Sequence, residues 1–388
     1  MRGVDEPLSG TLLTPAAAAS RAKIAVTADG RTVDVPAPMV ASVGDIAGLS
    51  PKRKRGDGGE VPGADVDLID ALSRDLVWPT VAAWLTAGKS VATRRARLAD
   101  LAAFLRWLDA HAPGLALLAA TEDTVTGYRE SIAAGTARAG VKTPGRPLAS
   151  ASVARRLSSL ASFYAYAVRR AGLTRNPADA ALVERPEVSG AGKTPARTRA
   201  EARGLLNAAE APSFTEQHLA DAAAVALLLL CALRVGELAS LTAGQVQTDA
   251  GHTVLVFTRK GGKTDRVPLP PDALALLQPL ITERPKDAFV FAHEDGRPWN
   301  RWRFTTALRR AAHAAGIDPA RLTPHTARTT AATELLDEGV PIEVVQTLLG
   351  HTSPVTTQRY DRGTRRLSGH GAYRLAALLT DRAPSPDQ

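Results

Sequence analysis

Cysteine is nearly absent from this chain of 388 residues, in which Cys231 stands alone. A single cysteine excludes an internal disulfide framework and a thiolate metal cluster. Long apolar runs are also missing, because the longest, residues 222–233, is shorter than the roughly 18 residues that a membrane-spanning helix needs. The histidines form neither an HExxH motif nor a Cys/His cluster. With no secretory signal evident, these absences predict a cytoplasmic protein without a metal site.

Positive charge is in excess, since 48 Lys and Arg face 39 Asp and Glu for a formal net charge of +9. A basic chain of this kind usually meets a polyanion, and nucleic acid is the commonest one. The composition therefore favours a nucleic-acid partner, and the length suggests two or three domains.

The N-terminal part of the chain differs in composition from the remainder. Residues 1–72 are rich in Ala, Gly, Pro and Ser, and we predict a low-complexity and largely disordered segment. Within it, Asp29-Gly30 predicts the turn of a small hairpin. Residues 73–187 carry helical apolar stripes and predict a small all-α DNA-binding domain; one stripe contains Leu98, Leu101, Phe104, Leu105 and Leu108.

A basic linker at residues 188–199 leads to a second domain at residues 200–388, which ends in a short tail. Residues 253–258 and 266–269 are β-rich in composition and predict a hairpin among helices. The fold class is therefore mainly α with a small β-sheet.

Arginines crowd the surfaces of the predicted helices in the first domain. The candidate DNA contacts are Arg94, Arg95, Arg155, Arg156 and Arg169. The basic run at residues 52–55 has two interpretations, a contact to DNA phosphates or a solvated linker, and we favour the linker because short basic runs are weak motifs.

The turn of the predicted hairpin in the second domain carries two lysines, Lys260 and Lys263. Either one is a candidate to reach a ligand from the hairpin tip. The segment also resembles the end of a nucleotide P-loop, but that motif needs glycine where Phe257 stands, so ATP binding is rejected.

Arg234 comes directly after the apolar run, which predicts a core helix reaching Leu233. A charge at the edge of the core is costly unless it is paired or faces an anion. Arg234 therefore forms an internal ion pair with Glu237, donates to a phosphate, or does both.

Residues 323–360 hold the remaining polar candidates. His325 and Arg328 lie three apart and share one face of a predicted helix. Further helix stop and start signals bring His351 to the end of a second helix and Tyr360 near the end of a short third one. Each side chain alone is explained by packing, but the ordered set favours a phosphate-binding site with a tyrosine nucleophile.

Two arginines, a lysine, two histidines and a tyrosine suit phosphoryl transfer, because cationic donors stabilise the charge that grows on phosphate oxygens. A tyrosine hydroxyl is almost wholly protonated at neutral pH, so positive neighbours and a base must help it attack. The resulting phosphotyrosine ester keeps the energy of the broken phosphodiester. The chemistry therefore needs no metal, no ATP and no other cofactor.

These motifs resemble those of the tyrosine recombinases, or phage integrase family. The resemblance covers residues 75–365 and rests on residues 232–238 (ALRVGEL), the hairpin lysine, the His-x-x-Arg pair, Leu349-Gly350-His351 and the final tyrosine. It implies a core-binding domain followed by an α+β catalytic domain. It also implies that the catalytic residues are Arg234, Lys260, His325, Arg328, His351 and Tyr360.

By the same resemblance, the protein is a site-specific recombinase that cleaves and rejoins double-stranded DNA through a 3′-phosphotyrosine. The implied partners are further copies in a homotetramer on synapsed sites, and accessory DNA-bending or directionality proteins. Two positions depart from the family pattern: Ala327 stands where leucine is common and Thr329 where histidine is common. A type IB-like topoisomerase and a catalytically silent DNA-binding protein are the alternatives.

Overall fold

The chain forms two compact units, residues 1–188 and 189–388. The computed structural model describes residues 23–28, 31–36, 40–54, 58–188, 195–258, 264–351, 354–358 and 360. None of the helices within these ranges combines the length and the apolar character that crossing a bilayer requires. The hairpin lysines Lys260 and Lys263 and the C-terminal tail lie outside the described residues.

The first unit is helical apart from short strands. The predicted N-terminal hairpin is present, with β1 (Lys23–Ala28) antiparallel to β2 (Arg31–Pro36). Two further strands, β3 (Pro51–Lys52) and β4 (Val61–Pro62), pair in parallel. The helices are α1 (Gly63–Asp70), α2 (Val77–Thr86), α3 (Val91–His111), α4 (Glu122–Ala134) and α5 (Ser150–Arg170).

The prediction of a largely disordered segment over residues 1–72 is wrong for residues 40–54 and 58–72, which are folded. Their apolar side chains are too irregularly spaced to show a helical period, yet they are buried in the core of the first unit; they include Val43, Ile46, Leu49, Val66 and Ile69. The helical stripe around Phe104 packs into the same core, as its periodicity predicts. Burial against α2, α3 and α5 orders a segment whose own pattern is weak.

Part of the basic run at residues 52–55 belongs to this fold. The guanidinium of Arg53 donates to both carboxylate oxygens of Asp67 on α1, at 2.8 and 2.7 Å. Lys52 lies in β3. These two residues therefore belong to a folded part of the unit and not to a linker, although both are exposed to solvent, as the interpretation expected.

The second unit consists of helices around a small antiparallel sheet. Its helices are α6 (Arg199–Glu210), α7 (Pro212–Leu230), α8 (Val235–Ala239), α9 (Pro271–Ile281), α10 (Arg301–Ala314), α11 (Pro324–Asp337), α12 (Ile342–Leu349) and α13 (Pro354–Gln358). Its strands are β5 (Val246–Asp249), β6 (His252–Thr258) and β7 (Thr264–Pro268), in the order β5-β6-β7. The predicted hairpin is β6 with β7, and β5 adds an edge strand that sequence alone did not indicate.

The apolar helix α7 is the centre of the second core, as predicted, but it ends at Leu230 and does not continue to Leu233. Ala232 breaks the helix with a φ of +47°, a left-handed conformation that is strained for a residue with a side chain. Arg234 then precedes the short helix α8. This break turns the chain so that Arg234 leaves the core.

Candidate active site

Arg234 lies at the N-terminus of α8 and is held by Glu237, one turn along that helix. The carboxylate of Glu237 accepts from the backbone N–H of Arg234 at 2.8 Å and from its Nη1 at 2.9 Å. The predicted ion pair is therefore present. The side chain of Arg234 is still 40% exposed, so part of it remains accessible to a ligand.

Two arginines meet the C-terminal end of α12. Arg234 donates from Nη2 to the carbonyl of Gly350 at 2.9 Å, and Arg328 donates from Nη2 to the carbonyl of Leu349. The last carbonyls of a helix have no partner within it and carry partial negative charge. Gly350 ends α12 in the left-handed conformation, with a φ of 55°. This helix end thus fixes both guanidinium groups next to His351.

Arg328 lies on α11 and is only 4% exposed. Its Nη1 donates to the carbonyl of Ala232, which the left-handed turn at that residue directs toward it. Both of these partners, the Ala232 and Leu349 carbonyls, are neutral, so the positive charge is buried without being cancelled by them. The pKa of Arg328 is lowered to about 10, mainly by burial and then by the charge of Arg234, while Tyr360 and Glu237 oppose this shift.

His351 connects the arginines to the tyrosine. Its Nε2 lies 3.3 Å from Nη2 of Arg328, and its Nδ1 lies 2.9 Å from Oγ1 of Thr357. The rings of His351 and Tyr360 are stacked, with centroids 5.9 Å apart and planes 10° from parallel. Tyr360 itself lies in the turn just after α13, slightly beyond the predicted helix.

His325 lies one turn before Arg328 on α11. His325 is exposed by its surface area, but protein atoms surround part of its ring. This partial burial lowers the pKa of His325, and the charge of Arg328 lowers it further. The ring is therefore neutral at neutral pH and able to accept a proton.

An open cleft of about 870 Å³ lies between α8, the sheet and the end of α12. Arg234, Gly350 and His351 line it, as does Thr258, the last described residue before the segment that contains Lys260. Among the residues that the structure describes, no group of three His, Cys, Asp or Glu side chains is placed to hold a metal ion. Among the described residues that line the cleft, Arg234 is the cationic donor, and its partner Glu237 lines the cleft as well.

The candidate DNA-binding arginines of the first unit mostly bond within that unit. Arg94 donates to the carbonyls of Gly88 and Ala47, and Arg95 to Gly48 and Glu60. These bonds tie the start of α3 to neighbouring loops.

Two more of these arginines lie on α5. Arg156 donates to the hydroxyl of Tyr128 and to the carbonyl of Gly140. Arg155 is paired with the buried Asp100 while its own side chain is 52% exposed. Arg169, near the end of the same helix, is exposed. Arg155 and Arg169 are thus the exposed residues of this set, and the side chain of Arg95 is 41% exposed beside Glu60.

Two residues of the site were missed by sequence reasoning. Gln346 clamps the backbone of His351, donating from Nε2 to its carbonyl at 3.0 Å and accepting its N–H on the backbone carbonyl at 3.1 Å. Thr357 bonds the His351 ring, whereas its neighbour Thr356 is exposed. The sequence offers no signal that separates these adjacent threonines.

The position where the family often has histidine holds a buried threonine. Thr329 donates from Oγ1 to the carbonyl of His325 at 2.8 Å, one turn back on α11. Ala327 is buried as well. Both departures therefore lie inside the packing of the helix that carries His325 and Arg328.

Two family models match the chain. The phage integrase family matches residues 197–365, and the phage integrase N-terminal SAM-like domain matches residues 83–171. The first match contains all six residues of the predicted site, and the second contains helices α3 to α5 of the first unit.

Curated relatives match along most of their length. Tyrosine recombinase XerD of Pseudomonas putida is 33% identical over 308 residues, which cover 77% of this chain and 94% of that protein. Tyrosine recombinase XerC of Mycobacterium tuberculosis is 33% identical over 289 residues, which cover 71% of this chain and 89% of that one.

Solved structures share the fold at lower identity. The XerH site-specific recombinase bound to a palindromic difH substrate is 15% identical, with a TM-score of 0.56 over 79% of this chain and 84% of that chain. The Tn1549 transposon integrase in complex with circular intermediate DNA is 16% identical, with a TM-score of 0.51 over 72% and 93%. Both of those proteins are bound to DNA.

Proposed function

The chain belongs to the phage integrase family of tyrosine recombinases, enzymes that cleave and rejoin DNA, and we propose that Tyr360 is its nucleophile. The observation that carries this proposal is the cluster of Arg328, His351 and Tyr360, in which a buried positive charge and two stacked rings meet beside an open cleft. A phosphodiester is the ligand that such an arrangement suits, because its oxygens gain charge during the reaction.

The proposed cleavage step exchanges one phosphate ester for another. The Tyr360 oxygen attacks the phosphorus, the bond from phosphorus to the 5′ oxygen breaks, and the 3′ phosphate remains on the tyrosine. The phenol proton goes to His325, and the departing 5′ oxygen takes a proton from Lys260. Attack by a 5′ hydroxyl reverses each transfer and rejoins the strand, so no metal or ATP enters the balance.

The arginines act on the phosphate. Arg234 and Arg328 each have guanidinium N–H groups beyond those that bond Glu237 and the carbonyl oxygens, because a guanidinium carries five. The helix end and the ion pair hold these groups before substrate arrives, which is what preorganised charge stabilisation requires. His351 supplies a further donor to a phosphate oxygen once its Nε2 carries a proton.

His325 is proposed as the proton acceptor because its pKa is lowered, so the ring is neutral at neutral pH. Lys260 is proposed as the proton donor from the family resemblance and from its place two residues after Thr258, which lines the cleft. Lys263 remains the alternative lysine.

Double-stranded DNA is the proposed substrate, and exposed arginines of the first unit, Arg155 and Arg169, are the proposed phosphate contacts there. We further propose four copies on two paired sites, with DNA-bending or directionality proteins as accessories. The sedimentation of recombining complexes tests this assembly. Strand exchange completed by a complex of one copy per site pair would contradict it.

The test of the nucleophile uses a duplex with a nick near the cleavage site, from which the short 5′-hydroxyl fragment diffuses away and traps the covalent complex. The wild-type protein is expected to form a covalent adduct that survives denaturing electrophoresis. Tyr360→Phe is expected to form none, because it lacks the attacking oxygen, while binding the same DNA in a gel-shift assay.

Tyr166→Phe is a matched control, since this tyrosine lies on α5 in the first unit and has no part in the proposed reaction. It is expected to form the adduct at the wild-type rate. A covalent adduct with Tyr360→Phe would exclude Tyr360 as the nucleophile.

A further inference from the structure

The imidazole of His351 is contacted at both of its nitrogens. Arg328 lies at Nε2 and Thr357 at Nδ1, at 3.3 and 2.9 Å. A guanidinium can only donate, so Nε2 accepts in this structure. The neutral ring therefore carries its proton on Nδ1 and donates it to the hydroxyl of Thr357.

To bind a phosphate oxygen, Nε2 must act as a hydrogen-bond donor and not as an acceptor. To donate to a phosphate oxygen, Nε2 must carry a proton, either in the other neutral tautomer or in the protonated ring. A hydroxyl both donates and accepts, so Thr357 can bond Nδ1 in each of these states without movement of the ring. Neither a carbonyl nor an ammonium group has this property.

Thr357 also contacts the segment of the nucleophile. It is fully buried on α13, and its backbone carbonyl accepts from the N–H of Tyr360 at 2.9 Å. Its side chain thus bonds one of the two stacked rings and its backbone bonds the residue that carries the other. A change in its position would move the rings relative to each other.

Other helical threonines use their hydroxyls locally. In α12, Thr347 donates from Oγ1 to the carbonyl of Glu343 at 2.8 Å, four residues back. Thr329 does the same in α11. The bond from Thr357 to a ring six residues back, outside its own helix, is a different arrangement.

We propose that Thr357 is a positioning residue of the active site, which holds the His351 ring between Arg328 and the phosphate and permits its Nε2 to change from acceptor to donor. This inference rests on the proposed role of His351. It assigns to Thr357 no contact with DNA, so its removal slows cleavage without weakening binding.

The test compares Thr357→Val, which keeps the shape but loses the hydroxyl, with Thr357→Ser, which keeps the hydroxyl. On the nicked duplex under single-turnover conditions, Thr357→Val is expected to cleave on the order of 10- to 100-fold more slowly, as for a displaced catalytic group. DNA affinity is expected to stay within about twofold, because many phosphate contacts set it. Thr357→Ser is expected to restore most of the rate.

Thr347→Val is the control, because it removes an exposed hydroxyl that bonds only within α12 among the described contacts. It is expected to cleave at the wild-type rate. A Thr357→Val protein as fast as this control would overturn the proposal, and so would a Thr357→Ser protein as slow as Thr357→Val.

A second measurement needs neither DNA nor activity. Nitrogen-15 spectra of the free protein report which imidazole nitrogen is protonated, with the His351 signals assigned by their loss in His351→Gln. The wild type is expected to show a protonated Nδ1 and an unprotonated Nε2, and Thr357→Val to show a displaced Nδ1 signal. A protonated Nε2 in the neutral wild-type ring would contradict the inference, even with Tyr360 confirmed as the nucleophile.

Discussion

Arg155 of the first unit and Arg328 of the second unit are bonded in opposite ways. In the first unit, Arg155 pairs with the buried carboxylate of Asp100, which is 2% exposed and also accepts from Ser159. In the second unit, Arg328 is itself the buried group, and the Ala232 and Leu349 carbonyls that it bonds are neutral. The first arrangement cancels a charge and the second preserves one.

An arginine paired with a buried carboxylate stabilises the fold, whereas a buried arginine bonded to neutral carbonyls is suited to bind an anion. A guanidinium whose charge is balanced by a carboxylate attracts a phosphate less strongly, although its remaining N–H groups can still donate to one. A buried guanidinium bonded to carbonyls is costly in the free protein, as the lowered pKa of Arg328 indicates, and an incoming phosphate offsets that cost. Substitutions in the Arg155 and Arg328 arrangements should therefore affect different measurements.

The largest expected effect is that of Arg328→Lys on cleavage. Lysine keeps the charge but cannot hold two carbonyls and a phosphate in the fixed geometry of a guanidinium. The single-turnover rate is expected to fall about 10²- to 10³-fold, as when one preorganised donor is lost. Arg106→Lys is the matched control, because Arg106 pairs with the buried Asp65 in the first unit, and it is expected to cleave normally. Equal rates for the two variants would show that the distinction between the two kinds of arginine is wrong.

The second effect concerns stability. Asp100→Asn leaves the groups around a buried carboxylate imperfectly paired and is expected to lower the free energy of unfolding by about 2 kcal/mol. Urea unfolding followed by the fluorescence of Trp84 and Trp107, which lie in the same core, measures this change. Asp67→Asn removes the exposed carboxylate that pairs with Arg53 and is expected to change little. An Asp100 variant as stable as the wild type would mean that this buried pair does not support the unit.

The third effect is a pH dependence of the second unit. Burial and the charge of Arg328 lower the pKa of His325 from its ordinary value of 6.5, so the ring stays neutral to more acidic pH. If His325 accepts the phenol proton, the cleavage rate at subsaturating DNA should fall only as the pH drops below 6.5. His325→Gln is expected to cleave more slowly and to show no such fall in rate at acidic pH. An unchanged fall in that variant would mean that another group titrates there.

The smallest expected effect is that of Ala232→Gly. Glycine relieves the left-handed strain at this position, worth about 1 kcal/mol, but loses a buried methyl group worth about 0.8 kcal/mol. The free energy of unfolding is therefore expected to change by less than about 1 kcal/mol, with cleavage within twofold of wild type. A large loss of activity would mean that the Ala232 side chain, and not its carbonyl, positions Arg328.

Local signals accounted for much of the site. The start of α11 at Pro324, the end of α12 at Gly350 and the hairpin of β6 with β7 arise from proline, glycine and β-branched residues acting on their neighbours. The order and spacing of the polar residues indicated phosphoryl transfer by a tyrosine, and the family matches agree with that chemistry. The irregular apolar residues of 40–72 carried no such signal, and the prediction failed there.

The sequence by itself determined which side chains are present, that His325 and Arg328 share one helix, and hence the class of reaction. Only the tertiary structure decided that Arg328 bonds carbonyls 96 and 21 residues away, that Ala232 takes a strained conformation to present one of them, and that Thr357 is buried while Thr356 is exposed. Helix and turn preferences act over a few residues, whereas the partner of a buried charge is selected by whichever distant segments the packed core brings beside it.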